Sequence, residues 1–361
     1  MTNDSIVILA PEDDIHAAAV AWGLRHMGVP VELCTSLVAA PMLLTSILWP
    51  QDVSVPVNEV VKLPGVRSVW NRRPKWRDAP PQCHVDDRDF VAGEWSEYFD
   101  NLVGEVIPSL AFFVNDPRAA KRASLKAVQL HHARAVGLSI PDTLISNDSD
   151  QVRAFAQRHE GKIIGKPFYT HLWSTGDITQ TTAVCPLSAS DLLNDDSIRI
   201  APTIYQPLIH KVSDVRVTVI GHRLFALRYH RVNATRHLEL KVLDAPDVVS
   251  EAVVLPNAVE EKLRELMLRL GLVFGCIDLA IDNNGNYTFF EVNEAGQWLF
   301  CEYMDRSLPM LASFCSMLAE GRPDYANVEE EISWTQFERG PEYARFVATP
   351  RSVKPAASAV T

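Results

Sequence analysis

Two carboxylates and an amide at the ends of one hairpin are the residues best suited to chemistry. A turn at Asp282-Asn283-Asn284-Gly285 joins an apolar run over 276–281 to another over 287–292, with Asp278 before it and Glu291 and Asn293 after it. Residues two apart on a strand share a face, so Glu291 and Asn293 project together, and antiparallel pairing brings Asp278 alongside. An all-oxygen set of this kind suits Mg²⁺, which takes a few protein oxygens when substrate phosphates supply others. Taken alone, the same residues also read as the polar outer face of an ordinary hairpin.

Two lysines strengthen the ligand reading. Lys166 closes the apolar run Ile163-Ile164-Gly165-Lys166-Pro167, where a strand-end lysine points into a cleft. Lys126 lies in a helix-forming run over 118–136 that stops at Gly137. A compact ammonium suits a phosphate, although either lysine alone reads equally as solvated surface. From Gln206 to Lys241, seven basic residues (Lys211, Arg216, Arg223, Arg228, Arg231, Arg236, Lys241) stand against two acids, Asp214 and Glu239. Such a strip, in a chain of formal charge -11, implies an anionic ligand such as a triphosphate or an acidic peptide. Arg72, Arg73, Lys75 and Arg77 offer a second basic patch. His131 and His132 are adjacent on a helix and face different ways, so they are not read as a metal pair. No GxSxG, HExxH or Walker-type loop is present.

These residues need a scaffold, and the hydrophobic pattern predicts one. Strand 6–9, helix 15–27 ending at Gly28, and strand 29–33 make a βαβ start, the signature of a parallel, helix-covered sheet. Strand 66–70, a helical stretch over 86–107 and a strand at 112–115 complete that unit. Next come helices over 118–136 and 148–158, a strand at 162–167, a polar loop at 170–177 and a strand at 181–184. Past Ile204, hairpins dominate: 214–220 with 223–231 around Gly221-His222, then the carboxylate hairpin, with helices over 258–270 and 308–319. The segment 329–361 turns acidic and then Pro-, Ser- and Ala-rich, as a fraying tail does. The expected division is 1–115, 116–203, 204–328 and a partly flexible 329–361.

Composition excludes several classes. With 361 residues, 47% hydrophobic and 22% charged, the chain reads as a globular protein of two or three domains. Its acidic balance, 34 Lys+Arg against 45 Asp+Glu, argues against nucleic-acid or anionic-membrane partners. Six dispersed cysteines without a CxxC pair suggest neither zinc nor a disulfide framework. An acidic N-terminus without a basic start is not a secretory signal, and the apolar stretch at 36–49 is too short to span a bilayer. A cytoplasmic location is expected.

In order, Lys126, Gly137-Leu138, Pro141-Asp142-Thr143, Ile164-Gly165-Lys166-Pro167, Gln206-Pro207-Leu208-Ile209, Asp214-Val215-Arg216, Asp278 and Glu291-Val292-Asn293 resemble the ATP-grasp superfamily. Within it, Val69-Trp70-Asn71-Arg72-Arg73-Pro74 and Glu291-Val292-Asn293-Glu294-Ala295-Gly296-Gln297-Trp298 resemble the graspetide (microviridin-type) peptide maturases. The likeness covers about 5–318. It implies an α/β fold, α+β in parts, with an N-terminal parallel βαβ domain, a central lid domain and a C-terminal antiparallel catalytic domain.

The resemblance also implies roles. Lys126 and Lys166 would hold ATP phosphates; Gln206, Pro207, Leu208 and Ile209 would form the adenine hinge, with Lys211 close to the nucleotide. Asp278, Glu291 and Asn293 would bind Mg²⁺, and Arg216 and Arg236 would steady the transferred phosphoryl group. The implied partner is a precursor peptide with a leader and an Asp/Glu-rich core, joined through macrolactone or macrolactam bonds; members of the family are often homodimers, and the sequence leaves the oligomeric state open. Rival readings are a ligase adding amino acids to a peptide or protein, and a non-catalytic nucleotide- and peptide-binding subunit. Departures from the family pattern are Pro207 where Glu is common, Asn233-Ala234-Thr235-Arg236 in a segment that often reads Asp-Trp-Arg, Glu294 for a frequent proline, and Gly176 as the single glycine of the 170–177 flap.

Overall fold

The first apolar run becomes β1 (Ser5–Leu9), and Asp14 opens α1 (Ile15–His26) by accepting the Ala17 amide at 2.9 Å. Gly28, at φ +70°, supplies the left-handed turn that returns the chain to β2 (Val31–Cys34). The computed structural model describes residues 5–35, 45–49, 51, 65–73, 79–80, 82–168, 172–175, 178–181, 184–231, 248–326 and 331–349. With β3 (Val66–Asn71) and β4 (Phe112–Val114), these strands form a parallel sheet in the order β2-β1-β3-β4, and α2 (Arg88–Asn101) follows β3.

The helical run expected over 118–136 is two helices, α3 (Pro117–Ala123) and α4 (Lys126–Ala135). Ser124 Oγ turns back to donate to the Lys121 carbonyl at 2.8 Å, and Leu125 is extended at φ -72°, ψ 113°. The break makes Lys126 the first residue of α4 and frees it from the helix side.

The central unit is a sheet in the order β5-β10-β6-β9, from β5 (Leu144–Ser146), β6 (Ile163–Lys166), β9 (Cys185–Pro186) and β10 (Thr203–Pro207). Where a polar loop was expected over 170–177, β7 (Leu172–Thr175) pairs with β8 (Ile178–Thr181). α5 (Ser149–Arg158), α6 (Ala189–Leu193) and α7 (Asp195–Arg199) cover the unit around its own small core of Val152, Phe155, Ala156, Ile163, Ile198 and Tyr205.

The last sheet is antiparallel, in the order β13-β12-β11-β14-β15: β11 (Ser213–Ile220), β12 (Arg223–Arg231), β13 (Val248–Val253), β14 (Phe274–Ile281) and β15 (Tyr287–Asn293). One face packs on α8 (Asn257–Leu270) through Val217, Leu263, Leu266 and Phe289. The other face joins the first sheet in one core. Ile6, Ile8, Leu24, Trp70 and Val114 pack with Ile220, Phe274, Trp298 and the residues of α10 (Met310–Glu320), which follows α9 (Leu299–Met304). Buried Asn115 pins the joint: its Nδ2 donates to the Phe274 and Glu294 carbonyls, and its Oδ1 accepts the Val273 and Phe274 amides at 2.9 Å. Among the described residues, no helix is long and apolar enough to cross a membrane.

Part of the segment whose composition suggested a tail is helical. α11 (Trp334–Arg339) and α12 (Pro341–Ala348) pack on α1, with Phe337 fully buried 5.6 Å from the Trp22 ring. Residues 350–361 lie outside the described ones. Glu302 of α9 fastens this layer. Its two oxygens accept the Leu311 and Trp334 amides, each at 2.7 Å, and burial outweighs those bonds to push the carboxyl up to about 7. The folded state therefore binds more protons than the unfolded chain between the ordinary 4.5 and about 7, and this contribution to stability falls as pH rises through that window. Urea midpoints should show that decline from about pH 5 to about pH 8. Glu302→Gln should flatten it and cost about 1–3 kcal/mol at the acid end, because an amide accepts hydrogen bonds at one end only. Equal pH slopes in both proteins would refute this role.

Candidate active site

The hairpin closes as its residues dictate: Asp282 Oδ1 accepts the Asn284 and Asn286 amides, and Gly285 takes φ +80°. β14 and β15 pair Ile281 with Tyr287, Ala280 with Thr288 and Leu279 with Phe289, and then Asp278 with Glu291. Phe290 is the extra residue of a bulge. In a regular strand Phe289 and Glu291 would share a face. The bulge separates them, so Phe289 is fully buried against α8 while Glu291 opens into the cleft opposite Asp278. Asn293, two residues on, pairs with Cys276.

Each of the three oxygen-bearing side chains is held by a cation. Glu291 Oε2 accepts from Lys126 Nζ at 2.9 Å and Lys166 Nζ at 2.7 Å. Burial opposes the charge of Glu291, and the two ammonium groups overcome it, bringing the carboxyl down to about 2. Asp278 Oδ1 accepts from Arg216 Nη1 at 2.6 Å, across the register pair Arg216–Asp278 of β11 and β14. Burial disfavours the Arg216 guanidinium, yet Asp278 leaves its pKa raised. Asn293 Oδ1 accepts from Arg73 Nη2 at 3.3 Å and from the Ala295 amide at 3.2 Å.

Two supports were not apparent in the sequence. Gln129, one turn after Lys126, donates to the Val292 carbonyl at 2.7 Å and accepts the Val292 amide at 3.0 Å, docking α4 onto β15. Arg72, read as part of the second basic patch, is 1% exposed. Its Nε donates to Asp14 at 3.1 Å and its Nη1 to the Ala295 and Gly296 carbonyls. A Cβ on Gly296 would lie 2.6 Å from Cys276 Sγ, so only glycine lets this turn lie flat on β14.

The hinge segment sits on β10 and just past it. Gln206 is buried and donates to Thr143 Oγ1 at 3.0 Å; Pro207 has no N–H, and the Leu208 amide donates to the Lys162 carbonyl at 2.9 Å. No partner of the Ile209 amide is found among the described residues. Lys211, 7% exposed, pairs with Asp214 at 2.6 Å and lies 5.8 Å over the bulged Phe290 ring.

The basic strip does not form one face. Arg216 and Val215 alternate, so Arg228, which pairs with Val215, points away from the cleft and meets Glu251. Arg223 sits 5.2 Å over the Tyr325 ring. Arg236 and Lys241 lie outside the described residues, as do Lys75, Arg77 and part of the 170–177 flap, Gly176 included. The donor set of Asp278, Glu291 and Asn293, two carboxylates and an amide oxygen on paired strands, fits a hard divalent cation.

No protein-family profile and no curated protein matches the sequence. Solved structures do match. The macrocyclase MdnC bound with precursor peptide MdnA, from Microcystis aeruginosa MRC, is 21% identical over 88% of this chain and 99% of that one, with TM-score 0.76. A RiPP-associated ATP-grasp ligase of Chryseobacterium gregarium, in complex with ADP and a leader and core peptide, is 17% identical over 90% and 99%, at 0.77. The ATP-grasp ligase PsnB, complexed with a minimal precursor, Mg and ADP, is 22% identical over 89% and 99%, at 0.69. The chain has the ATP-grasp fold.

Proposed function

We propose that this protein is an ATP-dependent ligase that joins side chains of a ribosomally made precursor peptide. The observation that carries this reading is the cleft where Asp278, Glu291 and Asn293 meet Lys126, Lys166 and Arg216. Similar structures hold ADP, Mg and precursor peptides, which supports it. An Asp or Glu side chain of the peptide attacks the γ-phosphorus of ATP, ADP leaves, and an acyl phosphate forms. A Ser/Thr hydroxyl or Lys amine of the same peptide then attacks the acyl carbon; phosphate leaves and the nucleophile loses its proton, giving a lactone or lactam.

Both steps gather negative charge, so fixed positive charge lowers both barriers. Lys126 and Lys166 exchange Glu291 for phosphate oxygens. Arg216, with Arg236 beyond the described residues, steadies the phosphoryl group in flight. The backbone over Gln206, Pro207, Leu208 and Ile209 takes the adenine, with Phe290 and Lys211 beside it. Mg²⁺, held by Asp278, Glu291 and Asn293, would supply neutralising charge to the phosphates. The divisions 1–115, 116–203 and 204–328 then act as N-terminal, lid and catalytic domains of a cytoplasmic homodimer acting on an Asp/Glu-rich core.

The test is to express the chain with a short Thr/Ser- and Asp/Glu-rich peptide encoded beside its gene and weigh the product. Loss of one water per ring, with peptide-dependent ADP release, is expected. A mass gain of one amino-acid residue would transfer the reading to amino-acid ligation, and ADP release with an unaltered peptide would refute cross-linking.

A further inference from the structure

We propose that Arg73 receives the side-chain carboxylate of the substrate residue that is to be activated; this rests on the ligase reading above. Lys126 and Lys166 share Glu291, Arg216 is matched by Asp278, and Arg72 is matched by Asp14. Arg73 alone in this group has no carboxylate within ion-pairing distance among the described residues; its partner is the neutral Asn293 Oδ1. An exposed guanidinium with one N–H engaged keeps a fork of donors open, and that planar fork matches a carboxylate at two points.

Its placement is built rather than incidental. Arg73 holds φ +50°, a left-handed backbone uncommon for a residue with a side chain. The neighbour that fixes it, Arg72, is buried and bonded to Asp14 and to the Ala295 and Gly296 carbonyls. The first sheet thus projects Arg73 over the end of β15, next to the residues assigned to metal and phosphate. An arriving anion also relieves the repulsion among Arg72, Arg73 and Arg216, whose charges add to burial in holding buried His16 well below the usual imidazole value.

A phosphate oxygen of the nucleotide is the other anion Arg73 could take, and the experiment separates the two. The probes are N-acetylglutamic acid α-amide, which carries one side-chain carboxylate, and N-acetylglutamine amide, titrated by NMR into the full chain loaded with ADP and Mg²⁺. Wild type should bind the acid about tenfold more tightly than the amide. Arg73→Gln should bring that ratio to about one while leaving affinity for a non-hydrolysable ATP analogue within about twofold, and Arg73→Lys should keep part of the preference. An unchanged ratio in Arg73→Gln overturns the proposal, as does a loss of nucleotide affinity as large as the loss of acid binding. Failure of wild type to bind nucleotide would instead bring down the ligase reading. Normal nucleotide binding without acid preference sinks the role of Arg73 alone.

Discussion

Glu291→Gln should lower peptide-dependent ADP release by about 10²–10³-fold or more. The substitution keeps shape and removes the charge that Lys126 and Lys166 both face. Two ammonium groups are then left in the cleft without a counter-ion, and the proposed metal site loses one of its two carboxylates. The same charge has a signature in stability. A carboxyl brought from 4.5 to about 2 by folding contributes above the unfolded value and loses that contribution as pH falls through about 2. Between those limits wild type should lose up to about 2–3 kcal/mol more than Glu291→Gln, read from urea denaturation at several acid pH values. Wild-type turnover in the variant, with parallel acid limbs, would remove Glu291 from the site.

Lys126→Ala and Lys166→Ala should each weaken binding of a non-hydrolysable Mg–ATP analogue about 10–100-fold, measured by calorimetry. Either lysine alone still neutralises Glu291, so the single variants should fold and melt near wild type. Removing both leaves Glu291 a half-buried charge without a partner, and the double variant should lose stability at neutral pH and regain it on acidification as the carboxyl protonates. Unchanged affinity in both single variants would place the nucleotide elsewhere.

Local pattern made the carboxylate hairpin legible: period-two spacing puts Glu291 and Asn293 on one face and the Asp-Asn-Asn-Gly turn folds their strand back along Asp278, but the direct Asp278–Glu291 pair depends on the bulge. The bulge at Phe290 was not legible, because Phe289-Phe290 gives no sign of which ring is extra. Nor was the break before Lys126, since residues 118–136 are mostly good helix formers and Ser124 and Leu125 act through backbone geometry. Arg72 was legible only as one member of a basic patch because its partners lie far off in sequence, Asp14 before it and Ala295 and Gly296 well after. The basic strip misled for the opposite reason: counting charge along the chain ignores that alternate strand residues face opposite ways. In the C-terminal segment, Trp334, Phe337 and Tyr343 carry the packing that composition hid.

The core shared by the first and last sheets bears on how the chain folds as it leaves the ribosome. Ser68 of β3 donates to the Leu318 carbonyl of α10 at 2.7 Å, a contact between residues 250 positions apart. Trp70 rests on Phe314 with ring centres 4.6 Å apart. The N-terminal strands are made before the surface that buries them, which follows about 250 residues later. The central unit, with its own core, closes over short sequence separations and can be complete much earlier. Until α10 arrives, β1, β3 and α1 expose apolar side chains on a nascent chain, the kind of surface that favours aggregation until it is covered.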